Sequence, residues 1–137
     1  MAVINELIRT EWDKTLSFGN YELEEKTKLQ DYEFEGDLYK IKTYKCITKL
    51  ERNGMFVYES VPGSVVHDFK ADDEIVSFTV EAPQDVQITL ELEPEKEYKV
   101  FIDDTNVGKM KTNLGGKLNL SVELSQNVSA KVLVERV

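Results

Sequence analysis

From about residue 16 onward, apolar and polar residues alternate along the chain, the spacing that turns one side of an extended segment toward a core and the other toward water. The pattern predicts strands at Phe56-Tyr58, Ile75 through Val80, Val86-Ile88-Leu90-Leu92, Tyr98-Val100-Ile102, Leu118-Leu120-Val122-Leu124 and Val128 through Val134. Turn residues separate these runs. Asn53-Gly54 is the dipeptide best suited to the two positive-φ positions of a type I′ hairpin. Pro62-Gly63, Ala71-Asp72-Asp73, Ala82-Pro83-Gln84-Asp85, Pro94-Glu95, Asp103-Asp104 and Gly115-Gly116 punctuate the rest, the last expected as a hairpin turn. Strands recurring about every 8 to 12 residues, with no long helical pattern between them, predict one all-β domain over residues 1–137. The expected architecture is an antiparallel β-sandwich, immunoglobulin-like or jelly-roll-like, with at most one short N-terminal helix.

The first dozen residues admit two readings. Val3, Ile4, Leu7, Ile8 and Trp12 recur at helical spacing, whereas Leu7, Arg9 and Glu11 alternate with Ile8, Thr10 and Trp12 as in a strand. The strand is favoured, because Asp13-Lys14 can turn the chain into Leu16-Ser17-Phe18. Between Tyr21 and Tyr44 the alternation changes phase, which predicts one bulge or crossing near Gln30-Asp31 and another near Thr43. A weak internal repeat aligns Ser77 to Glu81 and Val86 to Leu90 with Asn119 to Glu123 and Val128 to Val132. It matches Val80, Glu81, Gln84 and Val86 to Val122, Glu123, Gln126 and Val128. Two hairpins facing one core produce the same pattern; a true duplication would put the matched segments in equivalent places in two sheets.

Charge narrows the partners. The 137 residues carry 26 acidic and 17 basic side chains, a formal net charge of -9, which repels phosphate backbones and anionic lipid, so neither nucleic acid nor a membrane is expected as a partner. No run approaches the ~20 apolar residues of a spanning helix, and the N-terminus has no cationic leader followed by an apolar stretch. A lone cysteine, Cys46, cannot form an internal disulfide. Together these features predict a cytoplasmic protein.

Reactive groups are sparse. The single histidine, His67, has Asp68 beside it, but neighbours on a strand face opposite ways, so that carboxylate cannot orient the imidazole unless the backbone turns there. Cys46 lies among apolar and β-branched residues, a setting that buries inert thiols. One Cys and one His exclude the usual zinc sets, and Asp72-Asp73-Glu74 and Asp103-Asp104 with Asn106 lack the spacing of a calcium loop. Gly115-Gly116-Lys117-Leu118 lacks the upstream glycine and the Ser/Thr of a phosphate loop. No catalytic residue, metal ligand or cofactor is assigned.

One stretch departs from the acidic average. Lys40, Lys42, Lys45, Lys49 and Arg52 gather where Tyr39 and Tyr44 also lie, a combination suited to an acidic partner or an anionic glycan. With Trp12 and Tyr58 as further stacking platforms, these nine residues form the candidate ligand surface. The competing reading is cross-strand neutralisation by Glu22, Glu24, Glu25, Glu33 and Glu35.

Leu16-Ser17-Phe18-Gly19-Asn20-Tyr21, Gly36 to Lys40, Asn53 to Ser60 and Gly108 to Leu118 resemble a family of short bacterial proteins that often carry the automatic name endosialidase. The resemblance would cover nearly the whole chain and implies contact with sialic acid polymers. Sialidases as a class use a propeller, three arginines on the sialate carboxylate and a tyrosine and glutamate pair. Here the only arginines are Arg9, Arg52 and Arg136, and no motif transfers a catalytic residue. Tyr98 to Asp103, Val107-Gly108 and Gly116 to Val122 resemble the immunoglobulin-like or fibronectin-like accessory sandwiches of glycan-degrading enzymes, with Asp103-Asp104 replacing the usual Asp-Gly turn. The expected function is a non-enzymatic interaction or structural module that binds a protein or self-associates through a strand edge. A carbohydrate-binding sandwich for acidic glycans comes second, and a small glycan-processing enzyme third.

Overall fold

The alternating runs pair into two antiparallel sheets packed face to face. The structure, a computed structural model, describes residues 3–124 and 129–137. In chain order its strands are β1 (Ile8–Thr10), β2 (Leu16–Phe18), β3 (Thr27–Phe34), β4 (Asp37–Tyr44), β5 (Ile47–Arg52), β6 (Met55–Val61), β7 (Val65–Ala71), β8 (Ile75–Glu81), β9 (Val86–Glu91), β10 (Glu97–Ile102), β11 (Thr105–Lys111), β12 (Lys117–Val122) and β13 (Ala130–Arg136). The seven-stranded sheet runs β1-β2-β7-β8-β13-β10-β11, and the six-stranded sheet runs β12-β9-β6-β5-β4-β3. The protein is thus an all-β antiparallel sandwich, and no helix occurs among the described residues. Val128 and Gln126 of the expected last strand and repeat lie outside the described residues.

Alternation along the strands fills the space between the sheets. Tyr39 and Ile41 on β4, Leu50 on β5, Ile88 and Leu90 on β9 and Val132 and Val134 on β13 are buried, while their strand neighbours reach water. Tyr58 stands at the centre, packed edge-on to Phe18, Phe69 and Phe78 at centroid distances of 5.3, 6.4 and 5.7 Å. Its buried hydroxyl needs a partner, and Ser64 Oγ supplies one at 2.8 Å. Burial pushes the Tyr58 phenol up to about 12.

Hairpins and sheet crossings use different chemistry. Asn53 and Gly54 both take positive φ (52° and 80°) and join β5 to β6, as expected for a type I′ turn. Asp103 and Asp104 do the same between β10 and β11, at 51° and 66°. Stretches containing proline, at Pro62, Pro83 and Pro94, carry the chain between sheets instead, because a pyrrolidine ring cannot adopt the positive φ of those tight hairpins. Gly115-Gly116 corrects the hairpin expectation: β11 and β12 belong to different sheets. Gly116 presses against the Leu92 carbonyl there, where a Cβ would collide.

The N-terminal segment resolves as the strand reading. β1 pairs with β2 around a turn in which Lys14 has a φ of 65°. Ile4, Leu7 and Ile8 are buried but Trp12 is 95% exposed, so the residues of the helical alternative share no face. The expected bulge near Gln30-Asp31 is present: register shifts between Leu29 and Tyr32, with Asp31 at a φ of 59°. No shift occurs near Thr43. β4 pairs with β5 in unbroken register from Tyr39 to Tyr44, and Thr43 simply fills a core position by bonding the Thr48 hydroxyl at 2.8 Å. A polar residue in an inward slot imitates a change of phase.

The segments of the weak repeat lie in opposite sheets, β8 beside β13 and β9 beside β12. Their registers differ, since Val80 faces Ala130 whereas Val122 faces Val86, one strand period away from the equivalent pair.

Candidate functional site

The bulge in β3 decides what the outer face of the six-stranded sheet carries. Without the extra residue, Lys28 would align with Thr43 and point to the core; with it, Lys28 aligns with Lys42. Lys42 in turn faces Lys49, and the row continues through Glu59 and Thr89 to Asn119 on the edge strand β12. Three lysines therefore stand side by side on adjacent strands, which are ~4.8 Å apart. A parallel row carries Lys40, Glu51 and Phe56. Lys28, Lys40, Lys42, Lys49 and Glu51 together line a shallow depression of about 40 Å³, an open surface rather than a pocket.

Like charges opposite one another in a ladder oppose folding. Lys42 registers this: partial burial, then the ammonium groups of Lys26, Lys49 and Lys28, hold it below the ordinary lysine range. The ion pairs on this face belong to Lys49 and Lys117. Lys49 approaches Glu51 at 3.7 Å, and Lys117 pairs with Glu91 at 2.7 Å while lying over the Phe56 ring at 3.8 Å. Among the described residues Lys28, Lys40 and Lys42 make no ion pair. Of the acidic residues expected to neutralise the stretch, Glu24 alone forms an ion pair among the described residues, and it does so with Lys45 in the β4–β5 turn.

The nine candidate surface residues divide. Lys40, Lys42 and Lys49 come together, joined by Lys28 and Lys117, and Tyr44 sits half-buried at the end of the same outward set on β4. Lys45 occupies the adjoining turn. Arg52 lies at the other end of β5 beside Tyr39, whose phenol is held above its usual value chiefly by burial. Tyr39 and Tyr58 are corrected, because both are core residues and cannot stack on a sugar. Trp12 is exposed but belongs to the β1–β2 turn of the other sheet. Lys28 was missed because its orientation depends on a bulge whose exact length the alternation does not give. Lys117 was missed because only topology brings β12 to this sheet.

Cys46 and His67 belong to different sheets. Cys46 is exposed in the β4–β5 turn, not buried as its apolar neighbours suggested, since a two-residue turn points outward whatever flanks it. His67 lies in the seven-stranded sheet. The backbone does turn after it, with Asp68 at a φ of 58°, but Asp68 Oδ1 accepts from Thr15 at 3.4 Å. Nearby, Ser17 is fully buried and donates to Glu11. That bond, with Arg9 and His67 adding to it, holds the Glu11 carboxyl below its ordinary range against the opposing effect of burial. The other two arginines are elsewhere: Arg136 pairs with Glu93 at 3.0 Å and Arg52 adjoins Tyr39. Asp72 and Asp103 use their carboxylates on backbone N–H groups, those of Glu74 and Ile75 and that of Lys131.

No family model, no curated protein and no solved structure matches this chain.

Proposed function

We propose that this protein is a non-enzymatic binding module whose contact surface is the outer face of β3, β4 and β5, and that its partner is an acidic protein segment. The observation that carries the reading is the row Lys28, Lys42, Lys49, in which Lys28 and Lys42 make no ion pair among the described residues, on a chain of net charge -9. Such a row costs stability in the free protein and is relieved when an anionic chain lies across it. The strand edges favour a face over an edge as the contact. β1 is three residues long, β3 carries the Asp31 bulge, and β11 carries an extra residue at Val107. Self-association through an edge falls to β12, which pairs with β9 without interruption. The exposed Cys46 thiol suits a reducing cytoplasm.

A second reading, an acidic glycan such as polysialic acid, is favoured by Tyr44, an aromatic ring on the same side of β4 as Lys40 and Lys42. Calorimetric titration with a glutamate-rich dodecapeptide and with polysialic acid separates the two. The wild-type protein binds the peptide with an affinity that falls steeply as salt rises, and K28Q/K42Q/K49Q binds at least about tenfold more weakly. Equal binding by that variant contradicts the assignment of the face; preference for the polysaccharide turns the reading to the glycan.

A further inference from the structure

At the end of the sandwich where the β3–β4, β5–β6 and β7–β8 turns project, the sheets enclose a cleft of about 520 Å³. Its floor comes from both sheets: Phe69, Val76 and Tyr98 on one side, Tyr39, Leu90 and Leu92 on the other. Phe69 and Tyr39 keep 6% and 7% of their surface accessible, whereas Ile41 and Leu50 deeper in the core keep none. The opening thus reaches apolar side chains that the fold otherwise seals. Met55 and Ile75, on opposite sheets, stand at the rim 65% and 40% exposed. A volume between about 300 and 1,000 Å³ with an apolar floor is the size and character of a small-molecule site.

Charge selects the ligand. Seven carboxylates line the cleft against three cations, Lys14, Arg52 and Lys70. Two of the seven are already matched from outside, Glu91 by Lys117 and Glu93 by Arg136. Asp73 and Glu74 at the β7–β8 turn are exposed and make no ion pair among the described residues. The turn that presents them is fixed, because Asp72 Oδ1 accepts from the backbone N–H groups of Glu74 and Ile75, both at 2.8 Å. On the opposite lip Asn53 donates to Asp37 Oδ1 and accepts from Leu38 N, both at 2.9 Å. Both lips are therefore ordered before anything binds.

We infer that this cleft is a binding site for a small hydrophobic amine, whose apolar body enters between the sheets and whose ammonium group meets Asp73 and Glu74. The site opens at the end of the sandwich, adjoins the lysine face at Phe56 and Glu91, and is opposite to that face in charge. An anion of the same shape would meet the same floor and a repelling rim.

The test is a two-dimensional amide NMR titration with 4-phenylbutylamine and 4-phenylbutyrate, which share an apolar body and differ in the sign of the head group. The amine shifts the amides of Phe69, Val76 and Leu90 and binds at least about tenfold more tightly there than the acid. D73N/E74Q, which alters two exposed side chains and leaves the backbone N–H of Glu74 free to donate to Asp72 as before, removes that preference while the rest of the spectrum stays in place. Absence of cleft shifts with either compound, equal affinity for both, or a preference unchanged in D73N/E74Q overturns the assignment.

Discussion

Thr48 and Ser64 hold each other twice: Ser64 N donates to Thr48 Oγ1 at 3.0 Å, and that hydroxyl donates back to Ser64 O at 2.9 Å. The pair ties β5 in one sheet to the segment that leads into β7 in the other. Around it runs a buried chain of hydroxyls, from Asn20 N through Thr43 to Thr48, and from Ser64 to Tyr58 and Ser60. Each group in such a network depends on the next, since a lost partner leaves a polar group unsatisfied in a low-dielectric interior.

Thr48→Val keeps the shape of the side chain and deletes its hydroxyl. Ser64 N, Ser64 O and the Thr43 hydroxyl then lose a partner in the interior, so the substitution costs about 2 to 3 kcal/mol by urea denaturation. An unchanged midpoint shows that the network contributes nothing.

Tyr58 makes stability sensitive to alkali. Its folded value of about 12 lies above the ordinary phenol value of 10.0, so the unfolded chain loses that proton first. The contribution is complete below pH 10 and is lost as pH rises toward 12, a change on the order of 2 kcal/mol. Tyr58→Phe is less stable at neutral pH but loses correspondingly less between pH 10 and 12, as read from denaturation at each pH.

Two glycines give opposite kinds of cost. A Cβ on Gly63 would drive into the Tyr44 carbonyl, a backbone atom that cannot rotate away. At Gly36 nothing lies near, and the cost is only that of a side chain at a φ of 83°. Gly63→Ala lowers stability by about 3 kcal/mol or more and Gly36→Ala by about 1, compared by thermal denaturation. A reversed order contradicts the packing of that crossing.

Lys42→Gln raises stability by a few tenths of a kcal/mol, more at low salt than at high, because it removes the middle charge of three. The same variant binds an acidic peptide more weakly. A stabilised variant that binds as well as the wild type separates the lysine row from function.

What the sequence revealed and what it hid follow one physical division. Local chemistry was readable: Asn53-Gly54 names its turn, and the phase change at Gln30-Asp31 names its bulge. Properties that depend on which strands become neighbours were not. Thr43 looked like a second irregularity because a sequence does not show that Thr48 waits opposite it. Gly115-Gly116 looked like a hairpin because glycine permits a tight turn and a sheet crossing alike. Tyr39 and Tyr58 belonged to the candidate surface by composition, and burial removed them. The lysines of β4 and β5 were visible as a cluster, yet Lys28 completes the row only through a bulge on a third strand.

The most direct test of the lysine face is amide NMR mapping of the wild-type protein with the glutamate-rich dodecapeptide at low salt. The expected shifts centre on Lys28, Lys42 and Lys49 and fade toward Asn119 along the same row. Shifts confined to the seven-stranded sheet or to the β12 edge, with Lys42 unmoved, would contradict it.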